Sequence, residues 1–137
     1  MRLLTRKLYY LPIDLYEGLV GKRHPLAPKK GDIYIGAGDF IEQGQHQLQL
    51  LKSYIDLRPT DKVPDVGCGI GRTAIALTQY IQSPGTYNGF DVVEKGVRWC
   101  QEKITNSFPD FHFVYIPLKN DLYNTSKEEA KKLQVSL

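Results

Sequence analysis

One segment, residues 63–72, constrains this chain more than any other, because it joins a predicted strand to a predicted helix through a glycine-rich turn. Glycine occupies three alternate positions in it, Gly67, Gly69 and Gly71. Glycine tolerates a positive φ and carries no side chain, so a ligand can approach the backbone closely at such a turn. The first turn of the helix also leaves backbone N–H groups unpaired at the positive end of its dipole. The segment therefore predicts a ligand-binding turn.

The rest of the chain alternates between helix-like and strand-like patterns. Strands are predicted over residues 62–66, 86–92 and 111–116, and helices over residues 40–56, 73–81 and 94–106. This alternation favours an α/β fold with parallel strands and right-handed crossovers. The sheet is expected to be truncated after about three strands, which is one half of a doubly wound sheet. Pro64 lies inside the first strand, where a proline costs a ladder hydrogen bond or marks an irregularity.

The sequence divides into three regions. Residues 1–38 form an N-terminal arm, in which the spacing of Leu11, Leu15 and Leu19 predicts a short helix within residues 8–20 with Pro12 in its first turn. The glycine- and proline-rich remainder of the arm is either a polar linker or a lid over a ligand. Residues 39–124 form the ligand-binding domain, which opens with Asp39 as a helix N-cap. Residues 125–137 form a polar tail, in which residues 126–133 could form a helix.

Composition disfavours several classes of function. The 18 Lys and Arg residues exceed the 15 Asp and Glu residues by a net charge of +3, which is too mild to indicate a nucleic-acid partner. No apolar run approaches the roughly 18–20 residues of a membrane span, and we expect no signal peptide. The two cysteines indicate reduced thiols in a cytoplasmic protein, and three scattered histidines indicate no metal site.

The glycine spacing differs from two common nucleotide-binding patterns. A dinucleotide-binding turn reads Gly-x-Gly-x-x-Gly and would need glycine at position 72, which is arginine here. A phosphate-binding P-loop would need Gly-Lys followed by Ser or Thr. The spacing favours a small zwitterionic ligand instead, and it disfavours a nicotinamide-dependent oxidoreductase.

Two carboxylates flank the turn. Asp91 lies 20 residues after Gly71, at the end of the second predicted strand. A carboxylate there can accept hydrogen bonds from both hydroxyl groups of a ribose, or it can cap the next helix. Asp65 directly precedes the glycines, so it can stabilise the turn or bind the ammonium group of a ligand, and the two roles can coexist.

Asp-Val-Gly-Cys-Gly-Ile-Gly-Arg at residues 65–72 resembles the first motif of the class I S-adenosylmethionine-dependent methyltransferases. Gly-Phe-Asp-Val at residues 89–92 resembles their second cofactor-binding segment, and residues 38–44 are similar to a bacterial subgroup of small-molecule or uncharacterised members. The resemblance implies a Rossmann-like methyltransferase fold, S-adenosyl-L-methionine as the cofactor and an unidentified small molecule as the methyl acceptor. The cofactor-binding residues that it implies are Asp65, Gly67, Cys68, Gly69, Gly71, Asp91 and Val92.

Three features depart from that family. Pro64 stands where the family usually has an apolar residue such as leucine, and Pro117 stands where it often has an acidic residue that binds the adenine. The predicted sheet also lacks the strands that normally help to form the acceptor pocket, so no catalytic residue is assigned. The alternative to an active methyltransferase is an inactive cofactor-binding remnant. Such a remnant could also act as a module that binds a second copy or another chain through an open sheet edge.

Overall fold

The computed structural model describes residues 3–118. Its helices are α1 (Leu3–Leu19), α2 (Phe40–Ile55), α3 (Arg72–Leu77) and α4 (Glu94–Cys100), and its strands are β1 (Lys62–Val66), β2 (Thr86–Asp91) and β3 (Phe111–Tyr115). A 3₁₀ turn spans Lys30–Asp32, and a π-helical turn, Gln101–Thr105, continues α4. The predicted polar tail with its helix, and residues 119–124 of the predicted binding domain, lie outside the described residues.

The three strands form one parallel sheet in the order β1-β2-β3. Val63, Tyr87 and Phe111 form one row across it, and Gly89 pairs with Phe113 two residues further along. The side chains of Tyr87, Phe111 and Phe113 are buried, so this face of the sheet carries the core. The structure confirms the predicted α/β fold with its Rossmann-like parallel sheet.

The connecting helices α3 and α4 pack into the core. In α3 and the turn after it, the buried side chains are Ala74, Ile75, Ala76, Leu77, Thr78 and Ile81. Val97, Cys100 and Ile104 form the inner side of α4 and its π-helical continuation. The helix predicted over residues 94–106 thus changes its hydrogen-bonding pattern after Cys100. Thr105 at its end donates its hydroxyl proton to the carbonyl of Phe111 at 2.7 Å, which ties the turn to β3.

Helix α2 begins where the sequence predicts and is buried over only part of its length. The Asp39 carboxylate accepts a hydrogen bond from the backbone N–H of Glu42 at 2.9 Å, which confirms the predicted N-cap. Leu48 is buried, whereas Tyr54 and Ile55 are 82% and 64% exposed. The helix ends at Ile55, and its C-cap residue Asp56 has a left-handed φ of 52°, three residues before Pro59.

Pro64 lies in β1, which forms one edge of the described sheet. The carbonyl of Asp61 accepts from the N–H of Thr86, and the N–H of Gly67 donates to the carbonyl of Phe90. Alternate residues of a parallel strand bond to opposite sides, so the odd-numbered residues of β1 bond to β2 and the nitrogen of Pro64 faces away from it. The proline therefore costs no hydrogen bond between β1 and β2, and β1 is regular.

Hydrogen bonds join helix α1 to the segment that follows it in the N-terminal arm. Helix α1 begins at Leu3, so Pro12 lies in its middle and not in its first turn as predicted. The carboxylate of Asp14 accepts hydrogen bonds from the backbone N–H groups of Lys30 at 2.7 Å and Gly31 at 3.0 Å, which fastens the chain after α1 to that helix.

Candidate ligand-binding site

The glycine turn between β1 and α3 needs glycine for its backbone conformation. Gly67, Gly69 and Gly71 have φ values of 89°, 58° and 81°, all in the left-handed region that other residues rarely adopt. The N–H groups of Gly67 and Cys68 donate to the carbonyl of Phe90 at 2.8 and 3.1 Å. These bonds hold the turn over the carboxyl end of β2.

The three glycines face different surroundings. A Cβ atom on Gly71 would lie 2.8 Å from Ile104 Cδ1 and 2.9 Å from Cys100 Sγ, so this glycine lets the turn pack against α4 and its continuation. A Cβ on Gly67 would meet no atom within 4 Å. The backbone is therefore open to a ligand at Gly67, whereas the side-chain position of Gly71 points into the core.

Asp91 joins the end of β2 to the glycine turn. Its Oδ2 accepts a hydrogen bond from the N–H of Gly69 at 2.7 Å, and its Oδ1 accepts one from the N–H of Val93 at 2.8 Å. Val93 is the N-cap residue of α4, so the carboxylate also orders the start of that helix. Because a carboxylate has about four lone-pair sites, each oxygen can accept one further hydrogen bond. Val92, the next residue, is half-buried.

Asp65 and Cys68 contribute to the underside of the turn. Asp65 Oδ2 accepts the hydroxyl proton of Tyr87 at 2.5 Å. Burial, followed by the negative charges of Asp91 and Asp65, raises the pKa of the Cys68 thiol to about 12. Cys68 is 6% exposed and stays protonated at neutral pH, which fits a packing residue and argues against a nucleophile.

Arg72 links the glycine turn to the N-terminal arm. Its guanidinium donates to the carbonyl of Ile35 at 2.8 Å and lies 5.1 Å from the centre of the Phe40 ring. These contacts supply the partner that its position beside the positive end of α3 requires. They also place Phe40, the first residue of α2, next to the turn.

The chain after β3 passes beside Asp91. The backbone N–H of Ile116 donates to the carbonyl of Asp91 at 2.8 Å, and the half-buried Pro117 follows it. Pro117 therefore borders the carboxyl end of β2. Its ring offers an apolar surface there and no side-chain acceptor.

Two residues of the arm, Tyr34 and Ile35, contact this site. A Cβ on Gly69 would lie 3.9 Å from Ile35 Cγ2, so Ile35 borders the turn. The hydroxyl of Tyr34 lies beside Gly96 of α4, where any larger residue would collide with it. Gly96 is a glycine inside a helix, a position that can mark such a close approach.

Residues 3–118 contain neither a metal-binding cluster nor a membrane-spanning helix. No three His, Cys, Asp or Glu side chains come together there in a way that could hold a metal ion. None of the helices in this part of the chain is both long and apolar enough to cross a bilayer.

No protein-family model matches the sequence. Among solved structures, the chain is similar to that of "a putative S-adenosyl-L-methionine-dependent methyltransferase" from Methanococcus maripaludis, with a TM-score of 0.36 and 14% sequence identity. The match covers 73% of this chain and 60% of that chain. At this level of similarity, the likeness says nothing about what this chain binds.

Proposed function

We propose that this chain binds S-adenosyl-L-methionine at the glycine turn and is the cofactor-binding part of a methyltransferase for a small-molecule acceptor. One observation carries the proposal. Asp91 lies within hydrogen-bond distance of Gly69, beside the open backbone of Gly67, at the carboxyl ends of adjacent parallel strands. Ligands of open α/β sheets bind at that end of the strands.

The geometry supports separate positions for the nucleoside end and the amino-acid end of the cofactor. The free lone pairs of Asp91 suit the two ribose hydroxyl groups, and Val92 with Pro117 would border the base. The amino-acid end of the cofactor would lie over Gly67 and Gly69. Gly71 supports the turn from beneath, together with the Cys68 side chain. Asp65 is held by Tyr87, so its role in orienting the turn is better supported than direct binding of an ammonium group.

The reaction proposed is a direct methyl transfer. A lone pair of the acceptor attacks the methyl carbon, the bond from that carbon to the sulfonium sulfur breaks, and its electron pair stays on sulfur to give S-adenosylhomocysteine. A good nucleophile needs mainly proximity and in-line orientation for this step. We assign no group that removes the acceptor's proton. Two buried free thiols, Cys68 and Cys100, support a reducing compartment and thus a cytoplasmic location.

Calorimetric titration with S-adenosyl-L-methionine and S-adenosylhomocysteine tests the cofactor, with NAD as the control ligand. We expect saturable binding of the first two and none of NAD. Absence of heat and of a thermal shift with millimolar ligand would refute the proposal. Release of S-adenosylhomocysteine in the presence of candidate acceptors then separates an active enzyme from an inactive cofactor-binding remnant.

A second candidate function is a module that binds a partner chain at the open side of β1. A cavity of 280 Å³ lies there between α2 and β1, lined in part by Leu50, Pro64 and Asp65. Tyr54 extends the apolar surface along α2, and Val66 at the end of β1 is 86% exposed. Since Pro64 offers no N–H to this edge, the features support a partner that packs by side chains, and disfavour addition of a strand.

Substitution of this surface tests the second candidate. Leu50→Glu and Tyr54→Glu should abolish any association that uses the open side of β1 and leave cofactor binding unchanged. If the native chain and both variants bind the cofactor and have the same association state, this candidate is ruled out.

A further inference from the structure

Helix α1 turns an apolar surface away from the body of the protein. Five leucines recur along it with exposed fractions between 51% and 88%: Leu4, Leu8, Leu11, Leu15 and Leu19. Their spacing of three or four residues places them on one side of the helix. We call Leu4, Leu8, Leu11 and Leu15 the leucine stripe.

Polar side chains on another side of the helix attach it to the protein. Asp14 is 8% exposed and accepts two backbone hydrogen bonds from the 3₁₀ turn. Lys7 pairs with Asp32 at 3.1 Å, and Glu17 pairs with Lys30 at 2.5 Å. A helix on the surface of a globular protein usually buries its apolar side. Here the order is reversed, so the stripe contributes nothing to the core of the described chain.

The spacing of the stripe is the same in both directions along the helix. Leu4, Leu8, Leu11 and Leu15 are separated by four, three and four residues, so the pattern is symmetric about the midpoint between residues 9 and 10. A copy of α1 running antiparallel would therefore place Leu8 opposite Leu11, and Leu4 opposite Leu15. We propose that α1 pairs with α1 of a second copy of this chain, through the leucine stripe, in an antiparallel two-fold dimer.

Charge disfavours a lipid surface as the occupant. Helices that lie on membranes usually combine an apolar side with basic residues that attract anionic lipids. In the described part of α1, the two basic residues, Arg6 and Lys7, are balanced by Asp14 and Glu17. Arg6 donates to the carbonyl of Lys30 at 3.1 Å and Lys7 pairs with Asp32, so both cations are turned toward the protein.

The expected dimer is of modest affinity. A helix of 17 residues is about 25 Å long, so a seam between two such helices falls at the small end of specific interfaces. We therefore expect a monomer–dimer equilibrium that responds to concentration in the micromolar range. This proposal does not depend on the proposed function, because no residue of the leucine stripe belongs to the proposed cofactor site.

Sedimentation velocity of the full chain tests the proposal over concentrations from about 1 to about 300 μM. Leu8→Glu and Leu11→Glu should each weaken dimerisation at least tenfold, since two-fold symmetry places every substitution in the seam twice. Ile13→Glu is the matched control, because Ile13 is exposed on another side of the same helix. It should leave the equilibrium unchanged. A chain that stays monomeric at the highest concentration, or equal effects of all three variants, would overturn the proposal.

Spin labels test the direction of pairing. A label on Gly18→Cys should lie about 25 Å from its copy in the antiparallel dimer, and about 10 Å from it in a parallel one. Cys68 and Cys100 are buried, so labelling is selective for the introduced thiol. A short distance would reject the antiparallel dimer, and a monomer that co-sediments with vesicles of phosphatidylcholine and phosphatidylglycerol through Leu8 and Leu11 would reject self-pairing altogether.

Discussion

Asp91 Oδ2 accepts a hydrogen bond from the backbone N–H of Gly69 at 2.7 Å, across a separation of 22 residues. The bond joins the end of β2 to the glycine turn that follows β1. Its other oxygen holds the N–H of Val93 at the start of α4. One carboxylate thus fixes two backbone segments that border the proposed cofactor, which makes it both a structural group and a candidate ligand-binding group.

Asp91→Asn should weaken both roles. The amide keeps one acceptor oxygen and presents an NH₂ group to one of the two N–H donors, so a charge-assisted bond is lost. We expect a loss of about 1.5–3 kcal/mol in the free energy of unfolding, measured by urea denaturation. Affinity for S-adenosylhomocysteine should fall at least about tenfold in calorimetry. Asp110→Asn, at an exposed position before β3, is the control and should change neither.

Asp32 predicts how the docking of α1 depends on pH. Burial alone would raise the pKa of Asp32, but hydrogen bonds from Lys7 and Lys95 and their charges outweigh it, so its pKa is lowered. The hydrogen bond that Lys7 donates to Asp32 raises the pKa of Lys7 in turn. A lowered carboxyl pKa contributes stability above its unfolded value of about 4, which is lost as the pH falls through the folded value. The contribution of Lys7 is lost at the other end, as the pH rises through its raised pKa.

The stability difference between the native chain and Asp32→Asn should therefore be constant from about pH 5 to about pH 9 and shrink below pH 4. It should not exceed about 1 kcal/mol and should fall with added salt, because Lys7 is about half exposed. Urea denaturation across this range measures it. A difference that grows as the pH falls would contradict the assignment.

The strands and the residues at their ends were predictable because their signals are local. Period-two alternation and proline breaks predict β3 to within one residue, and the spacing of Asp39 and Glu42 predicts the start of α2. The place of Asp91 follows from the same logic, since a carboxylate at the end of a strand lies next to the turn after the neighbouring parallel strand. The cofactor assigned to this site is still a prediction.

The remaining features depend on contacts between distant residues. Helical spacing indicates that α1 is a helix, but which side faces the protein depends on the pairing of Asp14 with Lys30 and Gly31. The contact of Arg72 with Ile35 spans 37 residues and follows no periodic pattern. Tyr54 and Ile55 at the end of α2 are apolar but mostly exposed in the described chain, so helical spacing alone does not show how much of the helix is buried.

Gly89→Ala should disturb the glycine turn by displacing the packed side chain of Cys68. An added Cβ would lie 2.9 Å from Cys68 Sγ and 2.9 Å from Phe113 Cδ1, so one of them must move. Overpacking of this kind costs about 1–3 kcal/mol in the free energy of unfolding. Because the native Cys68 thiol has a pKa of about 12, it should react slowly with a thiol reagent at pH 8, and faster in the variant. Gly18→Ala, which has room for the methyl group, should leave Cys68 unreactive.

Pro64→Val should increase association between copies of the chain and leave the hydrogen bonds between β1 and β2 unchanged. The nitrogen of Pro64 faces the open edge, so valine restores an N–H there without adding a bond to β2. Unpaired edges with a full set of donors and acceptors invite pairing with other chains, and proline is one of the residues that prevent it. We expect more dimer or aggregate by light scattering, with little change in the free energy of unfolding of the monomer. Pro64→Lys is the control, because it restores the same N–H and adds a charge that opposes pairing. If valine and lysine behave alike, or if valine associates no more than proline, the edge is not protected by this residue.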